Sequence, residues 1–128
     1  MKLFLDTSVL IDHLRGHEAA TSWLSEQVND GAELWSVTLV RTEILAGMRP
    51  NEKKLTLALL GIIQWQEVSI ELADYAGALA NRFLKSHPGV DTVDYVIAAG
   101  CEAMGATLCT RNTKHFPMFA KLRAPYAA

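Results

Sequence analysis

The chain begins with MKLFLDTSVLID, residues 1–12. Leu3, Phe4 and Leu5 form an apolar run without polar alternation, which is typical of a strand buried on both faces. Asp6 ends that run, and Thr7 opens a segment whose apolar residues recur at helical spacing. The pattern predicts a central parallel strand, a turn and a helix. Asp6 then lies at the C-terminal end of the strand, which is where open α/β sheets bind their ligands.

Length and composition predict one globular domain over residues 1–128. Half of the residues are hydrophobic, as in an ordinary chain that buries a core. Because Asp6 interrupts the N-terminal apolar run so early, that run is neither a signal sequence nor a membrane span. We therefore expect a cytoplasmic protein with no membrane partner. The two cysteines, Cys101 and Cys109, lack the spacing of zinc ligands, and we expect both to be reduced core residues.

The net charge of −2 is unevenly distributed. From residue 111 onward there are four lysines and arginines and no acid, whereas the preceding residues hold all fourteen acids and only eight of the twelve bases. This balance excludes a globally basic nucleic-acid-binding protein and leaves room for a local basic patch. A solvated C-terminal edge is the alternative interpretation.

Further segments alternate between strand and helix patterns. Helices are predicted over residues 17–28, from Thr38 to Gly47, over 52–63, over 69–86 and over 92–104; further strands are predicted at 34–37, 66–68 and 106–109, and the tail 116–128 is expected to add a short helix and an edge strand. Such alternation predicts a three-layer α/β/α domain around a parallel sheet of four to five strands.

Three acids occupy positions that should face the core. Asp6 ends a buried strand, and both Glu43 and Asp94 have apolar neighbours at helical spacing. Because an unpaired buried charge is costly, three such acids suggest a shared purpose. Parallel strand ends and the helices that follow them lie on one edge of the sheet, so the three carboxylates are expected to meet there.

Each acid also has a purely structural interpretation. Asp6 is a candidate cap for the first helix, Asp91 and Asp94 are candidates for a capping box, and Glu43 is a candidate ion-pair partner of Arg41 or Arg49. Taken singly, the caps are the commoner explanation for Asp6 and Asp94. Taken together, converging carboxylates would repel one another and take up protons unless a cation lay among them. Hard oxygen ligands suit Mg²⁺ or Mn²⁺, which can activate water and offset the charge of a phosphodiester.

Four motifs in order resemble those of PIN-domain ribonucleases, and among them the VapC-type toxins of bacterial toxin–antitoxin pairs. They are Leu5-Asp6-Thr7-Ser8-Val9-Leu10-Ile11, Thr42-Glu43-Ile44-Leu45-Ala46-Gly47, Asp94-Tyr95-Val96-Ile97-Ala98-Ala99 and Gly105-Ala106-Thr107-Leu108-Cys109-Thr110-Arg111-Asn112. The resemblance implies a metal-dependent endoribonuclease in which Asp6, Glu43 and Asp94 are the acidic metal ligands. It also implies a homodimer, with a possible higher assembly, that is inhibited by a small cognate antitoxin.

The chain departs from the family where many members carry a fourth acid. Asn112 stands at that position, and an amide can accept a hydrogen bond from metal-bound water without adding charge. We therefore expect one resting metal ion. Asp91, one helical turn before Asp94, is a candidate to compensate, and an N-cap is its alternative role.

Other polar residues at the same edge are candidates for contacts with the substrate phosphate. Thr7 and Ser8 follow the first strand, and capping of the first helix is their alternative role. Thr110 and Arg111 follow the last strand, and Arg111 is the first candidate for a phosphate contact. The next candidates are Lys114 and His115, for which a surface position is the alternative.

The hypothesis is that metal-activated water attacks phosphorus in line and leaves a 5′ phosphate, with no covalent enzyme intermediate. Two rival classes remain open. One is a phosphatase or phosphotransferase that uses Asp6 as a strand-end nucleophile, although Ser8 stands where the common pattern has a second Asp. The other is a PIN-like domain with weakened catalysis that binds RNA or a partner, for which Asn112 is the only support.

Overall fold

The computed structural model describes residues 1–127, and over that range the chain forms four strands and six α-helices. In chain order these are β1 (Lys2–Leu5), α1 (Thr7–Leu14), α2 (Glu18–Asn29), β2 (Glu33–Val37), α3 (Thr38–Ala46), α4 (Lys53–Gly61), β3 (Gln64–Gln66), α5 (Ile70–Phe83), α6 (Thr92–Met104) and β4 (Thr107–Cys109). Two 3₁₀ turns, Pro50–Glu52 and Thr113–His115, precede α4 and follow β4. The alternation of strands and helices predicted from the sequence is confirmed.

The strands form one parallel sheet in the order β3-β2-β1-β4. In the register of β1, Phe4 lies opposite Trp35 of β2 and Leu108 of β4. Successive side chains of a strand point to opposite faces, and Leu3, Phe4 and Leu5 are all buried, so both faces of the sheet are covered. Asp6 follows β1 in the centre of this sheet, at its C-terminal edge.

Helix α6 is buried along most of its length, from Asp94 to Cys101. Gly100 allows its close approach to β1: a Cβ atom there would lie 2.8 Å from the Phe4 ring and 2.6 Å from the side-chain oxygen of Gln66. The helix ends at Gly105, whose φ of 62° is the left-handed conformation that glycine adopts without penalty. The buried stretch from Asp94 to Cys101 packs α6 against the sheet and includes Asp94, in the first turn of the helix.

The structure corrects four predicted boundaries. Strand β3 lies two residues earlier than predicted, because a polar edge strand of sequence Gln-Trp-Gln has no clear apolar pattern. The predicted helix 52–63 divides into the turn Pro50–Glu52 and α4, and α5 ends at Phe83 rather than Ser86. Residues 116–127 form turns and coil in place of the predicted helix and strand, and Ala128 lies outside the described residues.

Both cysteines are free and buried, as predicted. Burial raises the pKa of each thiol to about 12, so both stay protonated at neutral pH. Within residues 1–127, no helix combines the length and apolar character needed to cross a bilayer.

Candidate active site

Asp6 is held by two hydroxyl groups at the end of β1. Its carboxylate oxygen Oδ2 accepts hydrogen bonds from Ser8 Oγ at 2.8 Å and from Thr110 Oγ1 at 2.7 Å. The residue is only 4% exposed, and Thr110 is fully buried. Asp6 occupies the N-cap position of α1, but its side chain makes no capping hydrogen bond. The helix-cap interpretation of this carboxylate therefore fails. Its hydrogen bond from Thr110 links the end of β1 to the end of β4, and its other hydrogen bond comes from Ser8 in α1.

Asp94 serves in a capping box and also faces the acidic site. Its backbone N–H donates to Asp91 Oδ1 at 3.0 Å, and its own Oδ2 accepts from the Asp91 backbone N–H at 3.2 Å. The same Oδ2 lies 3.3 Å from His115 Nδ1. Burial, together with the negative charges of Asp91 and Asp6, raises the pKa of Asp94 to about 6, against the opposing effects of the Asp91 amide and His115. The capping prediction is confirmed, and it does not remove this carboxyl group from the site.

Glu43 reaches the same edge from α3. The prediction that its side chain points into the core was wrong: the residue is exposed, because α3 buries Val40 and Ile44 and leaves Glu43 beside that face. Its Oε1 accepts a hydrogen bond from Thr7 Oγ1 at 2.6 Å. Neither predicted arginine partner is used among the described residues; Arg41 lies over the Trp65 ring instead.

These elements enclose a cavity of about 240 Å³ at the C-terminal edge of the sheet. It is lined by Asp6, Thr7, Ser8, Ile11, Glu43, Asp91, Val93, Asp94, Asn112 and His115. Four of these side chains are carboxylic acids, and His115 is the single lining residue that can carry a positive charge. The structure therefore brings together the three acids singled out from the sequence, with Asp91 and Asn112 beside them.

The donor set fits a hard divalent cation by its chemistry, because the acidic and amide side chains offer oxygen ligands. The ligand geometry is not preformed: across residues 1–127, no three acidic, histidine or cysteine side chains converge as a set that could ligate one ion. Each carboxylate is instead turned to a local donor, Asp6 to Ser8 and Thr110, and Glu43 to Thr7.

The other two predicted phosphate contacts, Thr110 and Arg111, do not line the acidic cavity. Arg111 donates through Nη1 to Asp12 Oδ2 at 2.7 Å, and it is not among the residues that line the acidic cavity. Tyr126 donates to the same oxygen of Asp12, also at 2.7 Å. The hydroxyl of Thr110 is committed to Asp6 and accepts from the Asn112 backbone N–H at 2.9 Å. Sequence reasoning missed the Asp12–Arg111–Tyr126 network, because Asp12 lies 99 and 114 residues from its partners and no local pattern links them.

Comparisons with known proteins agree with this architecture. A family model described as PIN domain matches residues 3–122. Ribonuclease VapC19 of Mycobacterium tuberculosis is 44% identical over 126 residues, which cover 98% of this chain and 100% of that protein. Ribonuclease VapC10 of the same organism is 36% identical over 126 residues, covering 98% of this chain and 93% of that protein.

Among solved structures, a toxin–antitoxin complex from Klebsiella pneumoniae contains a chain of the same fold. The two superpose with a TM-score of 0.77 at 22% identity, covering 98% of this chain and 99% of that one. The chain therefore belongs to the PIN-domain family, and its sequence relatives are VapC ribonucleases. The resemblance drawn from the four motifs is confirmed.

Proposed function

We propose that this protein is a metal-dependent endoribonuclease and the toxin of a VapBC-type toxin–antitoxin pair. The observation that carries the proposal is the single cavity lined by Asp6, Glu43, Asp91 and Asp94 at the C-terminal edge of a parallel sheet. Its relatives named as ribonucleases span nearly the whole chain, which supports hydrolysis of RNA phosphodiester bonds as the activity.

In this proposal Asp6, Glu43 and Asp94 hold Mg²⁺ or Mn²⁺, with Asp91 and Asn112 contributing through water. Such an ion, when bound, lowers the pKa of water and offsets the negative charge of a phosphodiester under attack. The raised pKa of Asp94 supports the assignment, because burial and, to a smaller extent, the charges of Asp91 and Asp6 disfavour its ionised form when no cation is bound. At pH 7 this carboxyl group is mostly ionised and able to serve as a ligand.

The remaining polar residues position these acids. Ser8 and Thr110 fix the carboxylate of Asp6, and Thr7 fixes that of Glu43. Thr7 and Ser8 also line the cavity, so they are the proposed contacts for the substrate phosphate. We assign Thr110 to positioning Asp6, since it is fully buried, and Arg111 to anchoring the segment after β4 through Asp12.

The proposed reaction is in-line hydrolysis that releases a 5′ phosphate and a 3′ hydroxyl. Water is the nucleophile, and no bond forms between the enzyme and phosphorus. Burial of Asp6, and the two hydrogen bonds accepted by its Oδ2, make it a poor candidate for a strand-end nucleophile. This favours the nuclease over the phosphatase or phosphotransferase alternative.

Cleavage of RNA by the purified protein tests the enzymatic part of the proposal. Wild type is expected to cut single-stranded RNA in Mg²⁺ or Mn²⁺ and to lose activity in EDTA. Asp94→Asn is expected to lose at least about 100-fold, more than the usual loss for a residue that only supports a metal ligand. Asp74→Asn, an exposed acid on α5, is the matched control and should retain wild-type activity. Cleavage that survives EDTA, or equal activity of Asp94→Asn and wild type, would overturn it.

Induced expression in a bacterial host tests the toxin assignment. Wild type should arrest growth and create new 5′ RNA ends, and Asp94→Asn should do neither.

The proposal further includes a homodimer in the cytoplasm and a small antitoxin as partner. The likeness to a chain of a toxin–antitoxin complex supports the antitoxin partner. RNA binding without any metal-dependent cleavage would instead favour the weakened, non-catalytic PIN-like domain.

A further inference from the structure

A second concavity lies on the other side of the 3₁₀ turn Thr113–His115. It measures about 440 Å³ and is lined by His87, Thr113, Lys114, Phe116, Pro117, Phe119, Lys121 and Leu122. No acid is among these residues, in contrast to the neighbouring acidic cavity. The volume is within the range of sites for small organic groups such as a nucleotide.

The turn itself joins the two sites. His115 lines the acidic cavity, whereas Lys114, the residue before it, lines the basic concavity. A strand of RNA whose scissile phosphate lies in the acidic cavity therefore reaches the concavity by crossing this one turn.

The charges of the concavity are available to a ligand. Lys114 and Lys121 are exposed, and neither takes part in an ion pair among residues 1–127. Arg111, by contrast, is held by Asp12. The acidic cavity repels a polyanion, so an RNA substrate needs cations close to it, and these two lysines can supply them.

An aromatic wall accompanies the two lysines. The ring of Phe119 is half-buried and packs on that of the buried Phe116, with 6.4 Å between their centroids. His87 is also half-buried and lines the same concavity. Proteins that bind single-stranded nucleic acid combine cationic side chains, which contact phosphate, with aromatic rings on which a base stacks. Lysines and a partly exposed ring are both present in this concavity.

Lys121 has an unusual backbone. Its φ of 59° is the only positive value at a non-glycine residue within residues 1–127. This backbone conformation is strained for any residue that has a Cβ atom. Such strained residues occur more often at ligand-binding positions than elsewhere. Here the conformation accompanies a lysine that lines the concavity.

We propose that this concavity binds a nucleotide of single-stranded RNA next to the scissile bond, with Lys114 and Lys121 contacting phosphate and Phe119 contacting the base. The inference rests on the proposed ribonuclease function and adds to it a binding subsite. It makes the concavity a place where the protein selects its substrate, separate from the acids that carry out hydrolysis.

Binding to a short fluorescein-labelled oligoribonucleotide, measured by fluorescence anisotropy in EDTA, tests the proposal without any need for cleavage. The double variant Lys114→Gln/Lys121→Gln is expected to bind about tenfold more weakly, and the slope of log affinity against log salt should fall by about 1.4. The control Lys53→Gln/Lys54→Gln on α4 removes the same charge from two exposed lysines that do not line this concavity. It should bind like wild type. Equal weakening in both double variants would overturn the proposal.

The contact with the base is tested by Phe119→Leu, which keeps an apolar side chain and removes the aromatic face. It should weaken RNA binding about fivefold or more and leave binding of inorganic polyphosphate unchanged. Equal effects on both ligands would overturn the base contact. Loss of oligoglutamate binding in the lysine variant, with RNA binding kept, would overturn the RNA assignment in favour of an acidic polypeptide. A protein that shows the expected lysine dependence but cleaves no RNA would refute the proposed function and the placement beside a scissile bond, and would leave only RNA binding by the concavity.

Discussion

Asp94 accepts a hydrogen bond from the Asp91 backbone amide while its carboxyl group also lines the acidic cavity. Its pKa of about 6 lies above the ordinary value of 3.8, chiefly because of burial. The folded protein therefore holds this proton more tightly than the unfolded chain. That advantage is complete below about pH 4 and is lost as the pH rises through 6.

Asp94→Asn should consequently raise the stability of the protein in EDTA at pH 7. Asn is neutral and keeps an oxygen that can accept from the Asp91 amide. The variant therefore avoids the cost of burying a charge and the repulsion by Asp91 and Asp6, and it retains the cap. After allowance for solvent screening, the expected gain is about 1 kcal/mol at pH 7, with no gain at pH 4. Thermal unfolding across this pH range measures it, with Asp74→Asn as control. A lower melting temperature at pH 7 would show that burial and neighbouring charge do not destabilise the ionised carboxylate of Asp94.

Thr110→Val tests whether a buried hydroxyl positions Asp6. The substitution removes one of the two donors to a nearly buried carboxylate, and also the acceptor of the Asn112 amide. We expect a loss of about 1–3 kcal/mol in unfolding free energy and an RNA cleavage rate about 10–100-fold lower.

Thr56→Val is the matched control for this change. Thr56 is also fully buried, and its Oγ1 has no hydrogen-bond partner among the described residues, so its removal should be neutral or slightly stabilising. Cleavage by this variant should match wild type. Equal losses in the two threonine variants would show that Thr110 contributes packing alone.

The elements of the fold were predicted to different degrees because their sequence signals differ in strength. Three consecutive residues of β1 and most of α6 are buried, and their apolar patterns were sufficient to place them. The edge strand β3 and the tail lack such runs. The position of the tail depends on distant contacts, such as that of Tyr126 with Asp12, which local pattern cannot reveal.

The same distinction applies to the site. Asp6 and Asp94 were conspicuous because a carboxylate in a buried position is costly. Glu43 was singled out by its apolar neighbours along the helix, although its side chain is exposed. The direction of the Glu43 side chain and the ion pair of Arg111 were not found. Both depend on rotamers and on partners brought together only by the folded chain.

Gly100→Ala tests the close packing of α6 on the sheet. A methyl group at this position would lie less than 3 Å from Phe4 and from Gln66. The destabilisation caused by this overpacking should exceed the stabilisation from the higher helix propensity of alanine. The expected net loss is about 1–3 kcal/mol, measured by denaturant unfolding.

Gly77→Ala on α5 is the matched control for helix propensity. No atom lies within 4 Å of a Cβ built at Gly77, so the substitution should stabilise the protein by about 0.5–1 kcal/mol. A stabilising effect at both glycines would contradict the close approach of α6 to β1.

At the C-terminal edge of the sheet, an acidic cavity adjoins a concavity whose lining contains lysines and no acid. The acids from three separate parts of the chain share one cavity, and the uncompensated lysines of the C-terminal segment lie across a single turn from it. Under the proposed function, this arrangement would place cations for a polyanionic substrate beside the acidic cavity. An RNA substrate would then be compatible with a net charge of −2.

Calorimetric titration of the metal-free protein with Mn²⁺ tests the proposed metal site most directly. Wild type and Asp74→Asn should each bind about one ion per chain, since Asn112 leaves the site without the charge that holds a second. Asp94→Asn should bind Mn²⁺ at least about tenfold more weakly. No binding by wild type, or equal affinity in wild type and Asp94→Asn, would contradict a cation held jointly by Asp6, Glu43 and Asp94.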